Sequence, residues 1–97
     1  MNVELLYFES CPNARIVDVR LTALESELRF RLSRREVTTP EEAERLGFRG
    51  SPTILVDGVD PFVGGQEPIG LSCRIYETPA GPAGCPTDQQ LREAVSR

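Results

Sequence analysis

The sequence reads Val3-Glu4-Leu5-Leu6-Tyr7-Phe8-Glu9-Ser10-Cys11-Pro12 near its start, and this stretch decides the fold. Its first six residues are nearly all apolar, which is typical of a β-strand covered on both faces at the centre of a sheet. Proline is favourable in the first turn of a helix, so we expect a helix to begin at Pro12 with Cys11 or Ser10 at its N-cap. A buried strand leading directly into a helix predicts an α/β fold.

Apolar residues then recur at helical spacing, which predicts an amphipathic helix from about residue 12 to residue 27. Its apolar stripe consists of Val17, Leu21, Leu24 and Leu28, widened by Ile16 and Ala23. From residue 28 to residue 32, apolar residues alternate with arginines, which predicts a strand with one exposed face near a sheet edge. We expect this strand-helix-strand unit to be a parallel crossover.

The rest of the chain carries clear start and stop signals. Thr39-Pro40-Glu41-Glu42 predicts a short helix ending at Gly47, and Ser51 to Val56 is a second apolar strand, closed by an Asp57-Gly58 turn. Thr87-Asp88-Gln89-Gln90 opens a C-terminal helix. Residues 60–86 form an irregular loop insertion, in which only residues 71–76 have the pattern of a strand. The predicted order is β-α-β-α-β-β-α in a single domain, residues 1–97.

The composition excludes several kinds of chemistry. The chain of 97 residues has no histidine, and all eleven basic residues are arginine. Histidine-activated nucleophiles, imidazole zinc sites and lysine Schiff bases are therefore ruled out. A formal net charge of −4 disfavours nucleic acid as a partner. The start carries an acid where a signal peptide has bases, and its apolar stretch is too short to span a membrane. The sequence thus predicts a cytoplasmic protein with no membrane partner.

The three cysteines, Cys11, Cys73 and Cys85, carry the chemistry that is left. An odd number of thiols in a reducing compartment argues against a framework of structural disulfides. Cys11 directly follows the buried strand and begins the helix, where the exposed amides and the helix dipole favour a thiolate. Cys11 is therefore the predicted reactive residue. Three cysteines cannot complete an iron–sulfur cluster within one monomer.

With Ser51-Pro52 ahead of the second apolar strand, the chain resembles the thioredoxin-like superfamily over residues 2–65. The matching motifs are Cys11-Pro12-Asn13-Ala14, Ser51-Pro52-Thr53 and, as in glutaredoxins, Asp57-Gly58 followed by Gly64-Gly65. Residues 6–13, 50–53 and 71–76 resemble a small bacterial thioredoxin-like family with some members labelled thiol or selenol redox proteins and others alkylmercury-lyase-like. The resemblance implies a three-layer α/β/α fold with a four-stranded mixed sheet and a cis peptide bond before Pro52.

The resemblance also implies a catalytic site made of Cys11, Pro52 and a second thiol. Ala14 stands where dithiol thioredoxins have their second cysteine, so Cys73 or external glutathione is left to resolve a mixed disulfide. Cys85 ranks behind Cys73. Arg15 and Arg74 are candidates to pair with a thiolate or with a substrate carboxylate such as that of glutathione. The full set of expected substrate-binding residues is Pro12, Arg15, Ser51, Thr53 and Arg74.

Three functions stay open on the sequence alone. The leading one is a small cytoplasmic thiol–disulfide oxidoreductase without a bound cofactor, acting on a substrate protein or on glutathione as co-substrate. The second is a soft-metal binder related to mercury resistance, in which Cys11 and Cys73 hold mercury, copper(I) or arsenite. The third is a non-catalytic thioredoxin-like adaptor, supported by the missing second active-site thiol. The sequence leaves the oligomeric state open.

Overall fold

A computed structural model describes residues 1–9, 11–62 and 68–96 of the chain. Within these residues, three helices and five strands follow one another in an order that starts with the predicted strand-helix-strand unit. The elements are β1 (Asn2–Tyr7), α1 (Pro12–Leu28), β2 (Arg31–Glu36), α2 (Pro40–Leu46), β3 (Thr53–Val56), β4 (Tyr76–Thr78), β5 (Gly81–Ala83) and α3 (Asp88–Val95).

Strand β1 is the centre of a mixed sheet of three strands in the order β2-β1-β3. It pairs parallel with β2, from Asn2 opposite Arg31 onward, and antiparallel with β3, where Val3 lies opposite Val56. The apolar run therefore occupies the central position that its composition predicts, because both of its edges are paired and its side chains are covered on both faces.

The fourth strand that the resemblance implies is not present in this sheet among the described residues. The chain makes the predicted turn at Asp57-Gly58, and Val56 and Val59 exchange both backbone hydrogen bonds at 2.8 and 3.0 Å. Pairing there is a single bridge, and Pro61 follows, which has no amide hydrogen to donate to a sheet. Gly64-Gly65, part of the glutaredoxin resemblance, lies outside the described residues.

A separate hairpin, β4 and β5, lies within the segment predicted to be an irregular loop. The expected strand at residues 71–76 was wrong in position, because pairing begins at Tyr76 and extends to Thr78. The Thr78 hydroxyl stabilises the turn by donating to the carbonyl of Gly81 at 2.6 Å. Strand β5 reads Gly81-Pro82-Ala83, and glycine and proline are depleted in strands, so composition gave no signal for it.

Helix α1 begins at Pro12 with Cys11 as its N-cap, as predicted, while Ser10 lies outside the described residues. Its buried face consists of Ala14, Val17, Leu21 and Leu24. The expectation that Ile16 and Ala23 widen this face was wrong: Ile16 is 41% exposed and Ala23 is exposed. At three and four residues apart, Ile16, Val19 and Ala23 share the outer face of the helix.

The start of β2 also differs from the prediction. Leu28 is the last residue of α1, and Arg29 ends the helix in the left-handed conformation, with φ of 58°. Phe30 is buried in the connection, so the strand begins only at Arg31. The apolar alternation at residues 28–32 thus arises from a helix end followed by a buried connection. Strand β2 is mostly exposed, as expected at a sheet edge.

The caps of the two later helices follow the sequence signals closely. Thr39 caps α2 by accepting a hydrogen bond from the Glu42 amide at 3.1 Å, and Gly47 ends that helix with φ of 67°. Thr87 and Gln90 form a reciprocal capping box at the start of α3. The paired donors and acceptors satisfy amides that a helix end leaves open.

Two apolar clusters place the helices on opposite faces of the sheet. Val3 and Leu5 of β1 pack with residues of α1 and α3, including Leu21 and Leu91. Leu6 packs on the other face with a second cluster, formed by Val37, Ala43 and Phe48. The sheet therefore lies between α1 with α3 on one side and α2 on the other. In the described part of the chain, no helix is long and apolar enough to cross a membrane.

Candidate active site

Cys11 lies where the central strand has ended and helix α1 begins. Its side chain caps no helix amide, and its carbonyl accepts a hydrogen bond from the amide of Ala14 at 3.2 Å. The residue is 8% exposed, and its Sγ donates to the carbonyl of Ser51 at 3.8 Å. The fold therefore holds this thiol between the first turn of α1 and the loop that precedes β3.

The loop before β3 contains Ser51 and Pro52, joined by a cis peptide bond as the resemblance implies. Ser51 is fully buried. Its hydroxyl accepts a hydrogen bond from the amide of Phe8 at 3.4 Å, which ties the loop to the end of β1. The structure thus brings Cys11, Ser51 and Pro52 together, although they are 40 residues apart in sequence.

A segment from Gly70 to Tyr76, which we call the strap, runs beside this loop. The Ser51 amide donates to the carbonyl of Ser72 at 2.8 Å, and the Arg74 amide donates to the carbonyl of Ser51 at 3.0 Å. These bonds form a parallel bridge in which Cys73 lies opposite Ser51. Cys73 is exposed and its thiol is free. The backbone of Cys73 therefore lies next to Ser51, the same residue whose carbonyl accepts a hydrogen bond from the Cys11 thiol.

Arg74, an expected substrate-binding residue, is used inside the protein. Its side chain is buried and forms an ion pair with Asp60 at 2.6 Å. The guanidinium also lies over the ring of Tyr76, with its central carbon 4.6 Å from the ring centre. The expected contact with a substrate carboxylate is not available to a side chain placed in this way. Arg74 instead anchors the strap, because the ion pair fixes the residue next to Cys73.

Thr53 and Tyr76 complete the internal support of the loop. The Thr53 hydroxyl, also expected to bind substrate, is buried and donates to the carbonyl of Gly50 at 2.6 Å. The Tyr76 hydroxyl donates to the carbonyl of Pro52, and its ring packs edge-to-face against Phe62. Sequence reasoning missed Tyr76 and Asp60. In the sequence they are only an aromatic residue and an acid near the cysteine-bearing motifs, and such residues are too common to be identified as part of a site.

A pocket of about 240 Å³ opens beside Cys11, between α1 and the sheet. Its lining residues are Leu5, Tyr7, Phe8, Glu9, Cys11, Ala14, Arg15 and Asp18. The Asp18 carboxylate is held by Arg34 through two hydrogen bonds of 2.8 and 2.9 Å. Arg15 is exposed and has no ion-pair partner within residues 1–9, 11–62 and 68–96. Arg15 is therefore the cation of the pocket that is open to a ligand, and Pro12 is exposed one turn before it.

Cys85 has different surroundings from the other two thiols. Its sulfur accepts a hydrogen bond from the Arg20 guanidinium at 3.6 Å, and the same nitrogen donates to the carbonyl of Pro86 at 2.7 Å. The preceding Gly84 lies so close to Asn13 that a β-carbon there would collide with the amide side chain. Cys85 is half-buried and packs against the core shared by α1 and α3. Its hydrogen bond and its packing therefore tie it to α1 and the core.

No group of three or more cysteines and acids that could hold a metal ion occurs in the described part of the chain. Comparisons of this chain with protein-family models, with curated proteins and with solved structures gave no match. The site is therefore interpreted from its own geometry and from the chemistry of its thiols.

Proposed function

We propose that this chain is a thioredoxin-like thiol–disulfide oxidoreductase whose nucleophile is Cys11. The observation that carries the proposal is the position of the Cys11 thiol, at the start of α1 and 3.8 Å from the carbonyl of Ser51, the residue before Pro52. The thiolate is the attacking form in thiol exchange, and Cys11 lies at the positive end of the α1 dipole. The pocket beside Cys11 gives a disulfide a route to this thiol.

The reaction takes place in two exchange steps. The Cys11 thiol gives its proton to solvent, and the thiolate attacks one sulfur of the substrate disulfide. The substrate S–S bond breaks, a mixed disulfide forms on Cys11, and the released thiolate takes up a proton. In the second step, the thiolate of Cys73 attacks the Cys11 sulfur and the substrate half leaves as a thiolate, or the thiolate of glutathione attacks the substrate-derived sulfur and Cys11 leaves as a thiolate. The product is a Cys11–Cys73 disulfide in the first case and free Cys11 with a glutathione disulfide in the second.

The place of Cys73 supports its role as the resolving thiol. Ala14 leaves the first turn of α1 without a second cysteine. Cys73 is exposed and lies opposite Ser51 in the bridge, so its backbone and the Cys11 thiol meet the same residue. The side chains of Arg74, Asp60 and Tyr76 fix the strap and the loop in this relation. They act as positioning residues for the two thiols.

Turnover tests this proposal. In the presence of glutathione and bis(2-hydroxyethyl) disulfide, we expect the protein to accelerate exchange above the rate in buffer. Cys11→Ser removes the nucleophile and returns the rate to that of buffer, because a hydroxyl does not take part in disulfide exchange. Cys85→Ser is the matched control and keeps the wild-type rate. A Cys11→Ser variant as active as the wild type would contradict the proposal.

The soft-metal function is the second candidate, because Cys11 and Cys73 both adjoin Ser51. Two thiolates suit copper(I) or mercury, and each thiol releases a proton when it binds a metal. If the protein has no exchange activity but binds copper(I) with proton release that is lost in both Cys11→Ser and Cys73→Ser, the metal function replaces the redox one.

A further inference from the structure

We infer that the site takes a low-molecular-weight disulfide carrying a carboxylate and excludes extended peptide chains, because the strap occupies the backbone groups beside the reactive thiol. This inference rests on the proposed function and specifies its substrate class. Its evidence is independent of that function: the hydrogen bonds of Ser51, the anchoring of the strap, and the size and charge of the pocket.

The backbone of Ser51 is the natural place for an extended chain to dock next to Cys11. Extended peptides bind by pairing their amides and carbonyls with open backbone groups of a partner. Both groups of Ser51 are already used: the amide donates to Ser72 at 2.8 Å and the carbonyl accepts from Arg74 at 3.0 Å. The strap therefore lies in the position that a peptide substrate would need.

The strap is firmly anchored at this position. Displacing it would separate the ion pair of Arg74 with Asp60, whose side chains are 1% and 10% exposed. Breaking a buried ion pair leaves a charge without compensation, which is strongly unfavourable. Gly50 adds a close fit, since a β-carbon there would lie 3.0 Å from the Ser72 carbonyl oxygen and 3.1 Å from Arg74 Cβ. The strap is thus a fixed part of the site.

The pocket gives a different route to the same thiol. Cys11 is 8% exposed, so a reacting sulfur must enter the space that Cys11 itself lines. That space is about 240 Å³, below the roughly 300–1,000 Å³ typical of sites for drug-sized ligands. A small disulfide fits this volume, whereas a folded or extended polypeptide has only its side chain to insert.

Arg15 can bind a carboxylate on that small disulfide, while the other charged residues of the pocket lining are the acids Glu9 and Asp18. Asp18 is neutralised by its ion pair with Arg34. Arg15 lines the pocket, is exposed and is unpaired within the described residues. A guanidinium binds a carboxylate through two parallel hydrogen bonds. The substrate disulfide is the oxidant: one of its sulfurs joins Cys11, and the other leaves as a thiolate that is then protonated.

The test compares three probes with the reduced wild-type protein, with the adduct on Cys11 measured by rapid quench and mass spectrometry. The probes are 3,3′-dithiodipropionate, the neutral bis(2-hydroxyethyl) disulfide and an unstructured twelve-residue peptide carrying a central cysteine as its mixed disulfide with 2-mercaptoethanol. We expect dithiodipropionate to react fastest and the peptide slowest. A peptide that reacts as fast as the small disulfides would overturn the inference. If none of the three modifies Cys11, the proposed function itself fails.

Substitutions at Arg15 and at Asp60 test the role of the cation and the role of the strap separately. Arg15→Gln should slow the reaction with dithiodipropionate by up to about fivefold, the upper end for an exposed ion pair, and should slow the neutral probe less. Arg15→Lys should restore part of the rate, and Arg31→Gln, at the opposite end of the sheet, is the matched control.

Asp60→Asn releases the anchor of the strap and should raise the peptide rate relative to the small probes, with folding checked by circular dichroism. An unchanged peptide rate in folded Asp60→Asn would contradict the role of the strap. Equal losses of the dithiodipropionate rate in Arg15→Gln and Arg31→Gln would contradict the role of Arg15.

Discussion

Ser51, a buried residue, joins three other parts of the chain. Its hydroxyl accepts from the amide of Phe8, its carbonyl accepts from the Cys11 thiol and from Arg74, and its amide donates to Ser72. Each of these groups would be costly to bury without a partner. The end of β1, the start of α1 and the strap are therefore held in one arrangement around the thiol.

The Tyr76 hydroxyl provides a test of this support at the residue scale. Tyr76→Phe keeps the ring but leaves the buried carbonyl of Pro52 without this donor. We expect a loss of about 1–2 kcal/mol in the free energy of unfolding, measured by urea denaturation. Tyr7→Phe is the control, since the Tyr7 hydroxyl makes no hydrogen bond within the described residues, and it should change stability by less than about 0.5 kcal/mol. Equal effects of the two substitutions would count against this role.

The residues that the sequence could identify are those with local signals. Cys11 follows an apolar strand and precedes a helix-starting proline, and Pro52 precedes a second apolar strand, so a short window contains each pattern. Arg74 is a substrate-binding candidate in the sequence because it follows Cys73, and its actual partner Asp60, 14 residues away, gives no local signal. An arginine next to an exposed cysteine reads the same in sequence whether it faces solvent or a buried carboxylate.

At the scale of elements, one ion pair ties α1 to the edge strand β2. Asp18 of α1 accepts two hydrogen bonds from Arg34 of β2, and Thr22 donates a third at 3.1 Å. The Arg34 guanidinium lowers the pKa of the Asp18 carboxyl below its ordinary value, and Asp18 in turn raises the pKa of Arg34. The ionised carboxylate thus stabilises the packing of the helix on the sheet.

The sign of this shift predicts a pH dependence of stability. A carboxyl whose pKa is lowered by folding stabilises the fold above its unfolded pKa, about 3.9, and loses this effect as the pH falls through the folded pKa. Asp18→Asn should therefore cost up to about 1 kcal/mol at neutral pH, because the pair is partly exposed. The difference from wild type should vanish in strong acid. Chemical denaturation at several pH values measures it, with Glu44→Gln as control. A difference that does not change with pH would contradict the account.

The elements were predicted well where start and stop signals coincide. Pro12, Thr39 and Thr87 each mark a helix start that the structure confirms. The predictions were wrong where an apolar residue is buried outside a regular element, or is exposed although it fits the apolar pattern. Phe30 is buried in a connection, and Ile16 lies on an outer helix face despite being apolar. The hairpin of β4 and β5 was missed because its stability comes from pairing and from the Thr78 turn, with little help from composition.

At the scale of the whole molecule, the site depends on contacts between segments far apart in sequence. The order β2-β1-β3 places the end of β1 next to the loop before β3, and the strap then adds residues 70–76 to the same place. The periodicity of apolar residues predicts the layers but contains no information about which loop returns to which strand. The strap and its buried ion pair therefore became visible only in three dimensions.

The central claim is that Cys11 is the thiol that attacks a disulfide and that Cys73 resolves the product. One measurement tests it most directly: the reduced protein is mixed with one equivalent of glutathione disulfide, quenched with acid at increasing times, and mapped by mass spectrometry. The account predicts glutathione first on Cys11, followed by a Cys11–Cys73 disulfide, while Cys85 stays a free thiol. Glutathione appearing first on Cys73 or Cys85, with Cys11 still reduced, would contradict it.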